Sequence, residues 1–232
     1  MGEILDHILT GADSNTYVVF VHGLPGTLNI GQFRDASTHL ADSNIAQSYR
    51  YSLRRDDGLW NELKAKKGLV GSVRQLKAFD CVDYQTHVND LVSIVDGLRG
   101  RVIVAGHSYG AAVAIGASDV VSNKIEGMFL SSPFLELAWW KKLLGFKGFN
   151  GFPKADELVE MVQNYEGEVR VMYSRDDSIN NPQKNAKRII ACKGEGSIAR
   201  VNNSSQHDFF GSVREEYVAL LGEFVSYVGR EN

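Results

Sequence analysis

The stretch from Arg101 to Ile115 restricts the fold more than any other part of the chain. The apolar run Arg101-Val102-Ile103-Val104-Ala105 enters Gly106-His107-Ser108-Tyr109-Gly110, and an Ala-rich stretch, Ala111-Ala112-Val113-Ala114-Ile115, leaves it. The first run reads as a buried strand and the last as a helix. Between them, G-x-S-x-G leaves no length for a loop, so the chain must turn sharply around Ser108. Glycines on both sides suit a turn where a side chain would crowd the neighbouring strand or helix. Ser108 is expected on a strained backbone, its hydroxyl exposed above the sheet.

The same alternation of strand and helix runs through the chain. Tyr17 to Val21 reads as a buried strand, Ile30 to Ser43 as a helix, and Ala46 to Tyr51 as a weaker strand. From Tyr84 to Leu98, apolar Val88, Leu91, Val92, Val95 and Leu98 recur at three- and four-residue steps, the mark of one buried helical face. After the turn come a strand at Ile125 to Leu130, a helix at Lys154 to Tyr165 and a strand at Val169 to Tyr173. A helix at Pro182 to Ile190, a strand at Ser197 to Val201 and a helix at Val213 to Val228 complete the order. This pattern predicts an α/β fold with a mostly parallel central sheet and helices on both faces. Glu3 to Leu9 is expected as an antiparallel edge strand. Arg54 to Asp80 is charged, broken by glycine and weakly periodic, and carries no assignment. At 232 residues, one domain spanning 1–232 is expected.

Composition narrows the function classes. The apolar fraction of 44% and charged fraction of 23% are those of an ordinary globular protein. A formal charge of −3 gives no reason to expect nucleic acid as a partner. Lys141, Lys142 and Lys147 form a basic cluster, which reads as the wet side of an amphipathic helix. No segment approaches the ~18 continuous apolar residues of a membrane span. The acidic start, Met1 to His7, lacks the pattern of a signal peptide, and Asp6 spoils a myristoylation motif at Gly2. Cys81 and Cys192 are far apart, so reduced thiols and a cytoplasmic location are expected. No metal-ligand spacing occurs, and neither a metal nor an organic cofactor is expected.

A serine hydroxyl needs an adjacent base to act as a nucleophile, and the base needs an orienting group. His207 is the only one of the six histidines beyond the turn. It falls in a loop between the last strand and the last helix, where a plain surface histidine is the alternative. The orienting carboxylate should follow an earlier strand, and Val169 to Tyr173 runs into Ser174-Arg175-Asp176-Asp177. Asp177 is favoured as the inward acid, with Asp176 as its competitor. Ser131-Ser132-Pro133, after the preceding strand, offers no carboxylate. An oxyanion would need backbone donors. Tyr109 supplies one N–H, and Leu24 is expected to supply the other from Val21-His22-Gly23-Leu24-Pro25-Gly26, since Pro25 has none. His22 is read as a brace for that loop.

On the His22 to Gly26 loop, the Gly106 to Gly110 turn, Asp177 and His207, in that order, the chain resembles the α/β-hydrolase superfamily over almost its whole length. The resemblance implies a serine hydrolase with a Ser108-His207-Asp177 triad that cleaves a carboxylic ester or thioester of a small acyl substrate through an acyl-enzyme. Relatives similar to haloalkane dehalogenases and epoxide hydrolases carry an aspartate at the turn, and Ser108 argues against both. A hydroxynitrile-lyase-like lyase, a proline-iminopeptidase-like peptidase and a non-catalytic small-ligand receptor are the alternatives on the same fold. Little room exists for a full cap domain, and residues 133–153 are expected to form a short lid. Leu135, Trp139, Leu143 and Phe146 would lie on one helical stripe there. Trp139, Trp140, Leu143 and Phe146 either pack that lid onto the core or line an apolar substrate pocket.

Overall fold

Seven strands form a single sheet in a computed structural model of the chain, which describes residues 7–10, 14–24, 29–55, 61, 82–136, 150–174, 177, 182–194, 198–201 and 212–230. The strands are β1 (His7–Thr10), β2 (Thr16–Val21), β3 (Gln47–Tyr51), β4 (Arg101–His107), β5 (Ile125–Ser131), β6 (Glu168–Ser174) and β7 (Ile198–Val201). Their order across the sheet is β1-β3-β2-β4-β5-β6-β7. β1 pairs antiparallel with β3 at one edge, and all the other pairs are parallel. The described helices are α1 (Gly31–Asp42), α2 (Tyr84–Gly97), α3 (Tyr109–Val120), α4 (Ala155–Asn164), α5 (Pro182–Lys193) and α6 (Ser212–Val228).

The two-residue period of each strand sorts the core into two halves. Val19, Val21, Val102, Val104, Met128, Leu130 and Val171 face one way, onto buried residues of α2, α3, α4 and α5. Val18, Phe20, Ile103, Ala105, Phe129 and Met172 face the other way, onto α1 and α6. Near-continuous apolar runs are therefore needed in β2, β4, β5 and β6, because these strands are covered on both faces. Helix α3 is buried along ten consecutive residues from Tyr109 to Ser118, and its small side chains let it lie close to the sheet. Among the described residues, no helix is long and apolar enough to cross a membrane.

Parallel pairing also aligns the strand ends. Val21 stands opposite Gly106, His107 opposite Ser131, Ser131 opposite Met172, and Ser174 opposite Val201. The carboxyl ends of β2, β4, β5, β6 and β7 thus share one rim, the edge of such sheets where ligands bind. The sequence reading ends the β4 strand at Ala105, but it continues to His107 because Gly106 and His107 stay in register with Leu130 and Ser131.

Candidate active site

Ser108 sits between β4 and α3 with φ 54° and ψ −117°, a left-handed backbone that non-glycine residues rarely adopt. Such a residue costs on the order of 1–3 kcal/mol and persists only where its surroundings hold it. Three hydrogen bonds do so here. The Ser108 N–H donates to the Ser131 carbonyl at 2.9 Å, and the Ser108 carbonyl accepts from the N–H groups of Ala111 and Phe134, each at 3.1 Å. The flanking glycines are required sterically. A β-carbon on Gly106 would stand 2.6 Å from the Gly110 carbonyl oxygen, and one on Gly110 would overlap the carbonyl of Val21.

Ser108 is only 4% exposed. Its side chain is recessed, where the sequence reading has it standing clear of the sheet. The cause is the loop after β2: a β-carbon on Gly23 would lie 2.7 Å from the Ser108 β-carbon. Only a bare glycine backbone fits between that loop and the turn. Leu24 follows at once, half-buried and packed against the core on the side of the sheet that carries α2 and α3.

His22 is completely buried and makes two hydrogen bonds that define its tautomer. Its Nδ1 lies 2.8 Å from the Gly23 carbonyl and must donate, while Nε2 accepts the Leu53 N–H at 3.1 Å. Burial, above all, lowers its pKa to about 4, with nearby Arg55, His87 and His107 adding repulsion and the Gly23 carbonyl opposing. A neutral ring that ties the β2 loop to the chain after β3 is a brace, the role the sequence reading gives it.

Tyr109 opens α3, so its N–H lies at the N-terminal end of a helix, where the backbone dipoles favour negative charge. Its ring is buried, stacked on Phe152 with centroids 5.9 Å apart and set edge-on to Tyr84 and His87. The Tyr109 hydroxyl lies 2.9 Å from His87 Nδ1, and His87 Nε2 lies 2.9 Å from the Arg54 carbonyl. Burial is the main cause of a lowered pKa at His87, which keeps that ring neutral. The sequence reading passes over His87. The available signal is its place in α2, on the same face as Tyr84, Val88, Leu91 and Val95.

Asp177 follows β6 by three residues and is 7% exposed, its N–H directed at the Ser174 carbonyl. Asp176 lies outside the described residues, as do His207 and the lid residues Trp139, Trp140, Leu143 and Phe146. β7 runs parallel to β6, so its last residue, Val201, ends at the same rim. Ser132, which had no assigned role, is a second left-handed residue at this rim, with φ 43°. Its N–H donates to the Met172 carbonyl at 2.8 Å, so β5 ends in a turn locked to β6.

Behind the turn, His107 Nδ1 lies 3.1 Å from the Ser131 hydroxyl, and its ring meets Phe33 of α1 edge-on. The rim therefore combines a recessed hydroxyl, a helix N-terminus, a glycine loop pressed against both, and a buried carboxyl group two strands away.

Comparison with known proteins places the chain in a family. A model of the Alpha/beta hydrolase family matches residues 18–217. MhqD of Bacillus subtilis (strain 168), whose name assigns it provisionally to the hydrolases, is 27% identical over 164 residues, covering 66% of this chain and 76% of that protein. The monoacylglycerol lipase of Paleococcus ferrophilus superposes with a TM-score of 0.72 at 16% identity, over 97% of this chain and 99% of its own. A structure from work on the metagenome-derived lipolytic enzymes LipS and LipT gives 0.70 at 14% identity, over 97% of this chain and 100% of its own. At such identities the structural likeness speaks for the fold, while the family match runs from β2 into α6 and takes in the turn at Ser108. On that match, the chain belongs to the alpha/beta hydrolase family.

Proposed function

We propose that this chain is a serine hydrolase that cleaves a carboxylic ester or thioester through an acyl-enzyme. The observation that carries the reading is the placement of Ser108. It occupies a left-handed turn at the N-terminus of α3, with the Gly23 backbone against it at the carboxyl rim of the sheet. In this reading the Ser108 Oγ attacks the substrate carbonyl and its proton passes to His207, whose imidazolium Asp177 stabilises. The N–H groups of Leu24 and Tyr109 receive the negative charge that develops on the carbonyl oxygen. His207 then protonates the departing alcohol or thiol. Water, deprotonated by the same imidazole, attacks the acyl-Ser108 carbonyl; the acid departs and Ser108 regains its proton. The solved relatives named for lipolysis support an ester as the scissile bond. Residues 1–232 act as one catalytic domain, and 133–153 serve as its short lid, with Trp139, Trp140, Leu143 and Phe146 on the apolar side of a small acyl substrate.

The test is turnover of a panel of aryl esters, thioesters and amides by the purified protein and by Ser108→Ala. Esters or thioesters should be cleaved, and the variant should lose at least about a thousandfold in kcat. Wild-type activity on amides alone, or a variant that keeps most of its rate, would overturn the reading.

A further inference from the structure

The peptide between Ser108 and Tyr109 carries the N–H that the proposed mechanism aims at the oxyanion. A peptide unit is planar and trans, so whatever fixes its carbonyl and its two α-carbons also fixes the direction of its N–H. The carbonyl is held by Ala111 and Phe134, and the Ser108 end by the bond to Ser131. The Tyr109 end is held through its side chain. The Arg54 carbonyl can only accept, so His87 Nε2 carries the imidazole proton and donates to it at 2.9 Å. Nδ1 is then an acceptor, and the Tyr109 phenol donates to it at 2.9 Å. Arg54 is anchored in turn, its guanidinium making two bonds to the carboxylate of Asp90 at 2.7 and 2.9 Å. Asp90 lies one helical turn from His87 on α2. A polar path thus runs from Asp90 through Arg54 and His87 to Tyr109, and it ends at the peptide that follows the nucleophile.

We infer that His87 is a positioning residue of the oxyanion hole: through the Tyr109 phenol it sets the orientation of the Ser108–Tyr109 peptide and of its N–H. This inference rests on the acyl-transfer reading above. His87 touches no reacting atom. Its loss should therefore weaken a contact made in the transition state and leave ground-state substrate binding alone.

The experiment measures kcat and KM for an aryl ester on full-length protein, per active site titrated with a fluorophosphonate. The variants are Tyr109→Phe, His87→Leu, the double variant and His87→Gln, whose amide offers both an acceptor and a donor. Tyr109→Phe and His87→Leu should each lower kcat about tenfold with KM nearly unchanged, a fraction of what deleting an oxyanion donor costs. The double variant should be no worse than either single one, because both break the same bond. His87→Gln should recover most of the rate. If His87→Leu fails to fold, Tyr109→Phe, which keeps the ring, carries the test. An unchanged kcat in Tyr109→Phe, multiplicative single effects or a loss confined to KM would overturn the inference while the hydrolase reading stands. A wild-type protein that neither cleaves the ester nor reacts with the fluorophosphonate would overturn both.

Discussion

The backbone of Gly23 lies against Ser108 so closely that a β-carbon at position 23 would stand 2.7 Å from the serine β-carbon. The loop after β2 and the turn after β4 are therefore one mechanical unit. Gly23→Ala must push them apart by a few tenths of an ångström or more. The hydroxyl and the Leu24 N–H would then move relative to one another. We expect a folded protein whose kcat/KM on an aryl ester falls by roughly 10- to 100-fold, as for other small misplacements of catalytic groups. Wild-type kinetics in this variant would show that the contact is not part of the active geometry.

Gly110 faces a harder obstacle. A β-carbon there overlaps the carbonyl of Val21, a residue held in the sheet between β3 and β4, and approaches that of His22 at 2.7 Å. Gly110→Ala should cost about 3 kcal/mol of stability, at the upper end of ordinary overpacking, or prevent folding. Urea denaturation of the two proteins side by side measures this. A shift below about 1 kcal/mol would mean that α3 can slide off β2, contrary to the packing described.

The neutral histidines make the fold sensitive to acid. His22 has its pKa lowered to about 4, whereas the unfolded chain titrates near 6.5. As the pH falls from about 6.5 towards 4, the unfolded state takes up the proton first, so stability is lost across that window and levels off below it. The His22 contribution amounts to roughly 3 kcal/mol. His87, lowered in the same direction chiefly by burial, adds to it. Denaturation curves at pH 7, 5.5 and 4 should show this decline, and His22→Gln should be less stable at pH 7 but show a shallower slope. An unchanged slope in that variant would exclude His22 as the acid-sensitive group.

Asn185 ties α5 to the rim. It is fully buried, and its amide donates to the Pro133 carbonyl at 2.8 Å, just beyond β5. Asn185→Leu leaves that carbonyl without its donor and should cost about 2 kcal/mol, within the usual range for stranding a buried polar group. Thermal or urea denaturation checks the figure, and a neutral outcome would mean the carbonyl finds another donor.

Most of the architecture was legible because the central strands β2, β4, β5 and β6 are covered on both faces. Val18 to Val21 and Val102 to Ala105 are continuous apolar runs for that reason. The end of β4 was not legible, since Gly106 has no intrinsic preference for a strand and is kept in one by pairing with Leu130. The turn at Ser108 could be read from its glycines, whose roles are local. The burial of Ser108 could not, because Gly23, which covers it, is 85 residues away in sequence. His87 was missed for a similar reason. In sequence it is one more residue on the inner face of α2, and only the fold brings the Tyr109 phenol to its Nδ1. The preference for Asp177 over Asp176 rests on the residues that follow the strand; Asp177 is buried, and Asp176 lies outside the described residues.

The central claim is that Ser108 is an activated nucleophile, and the most direct measurement is the intact mass and peptide map of the protein after reaction with a fluorophosphonate. The account requires a single phosphonyl adduct on Ser108, absent in Ser108→Ala and strongly slowed in His207→Ala. No adduct on the wild-type protein, or an adduct on a different residue, would contradict it.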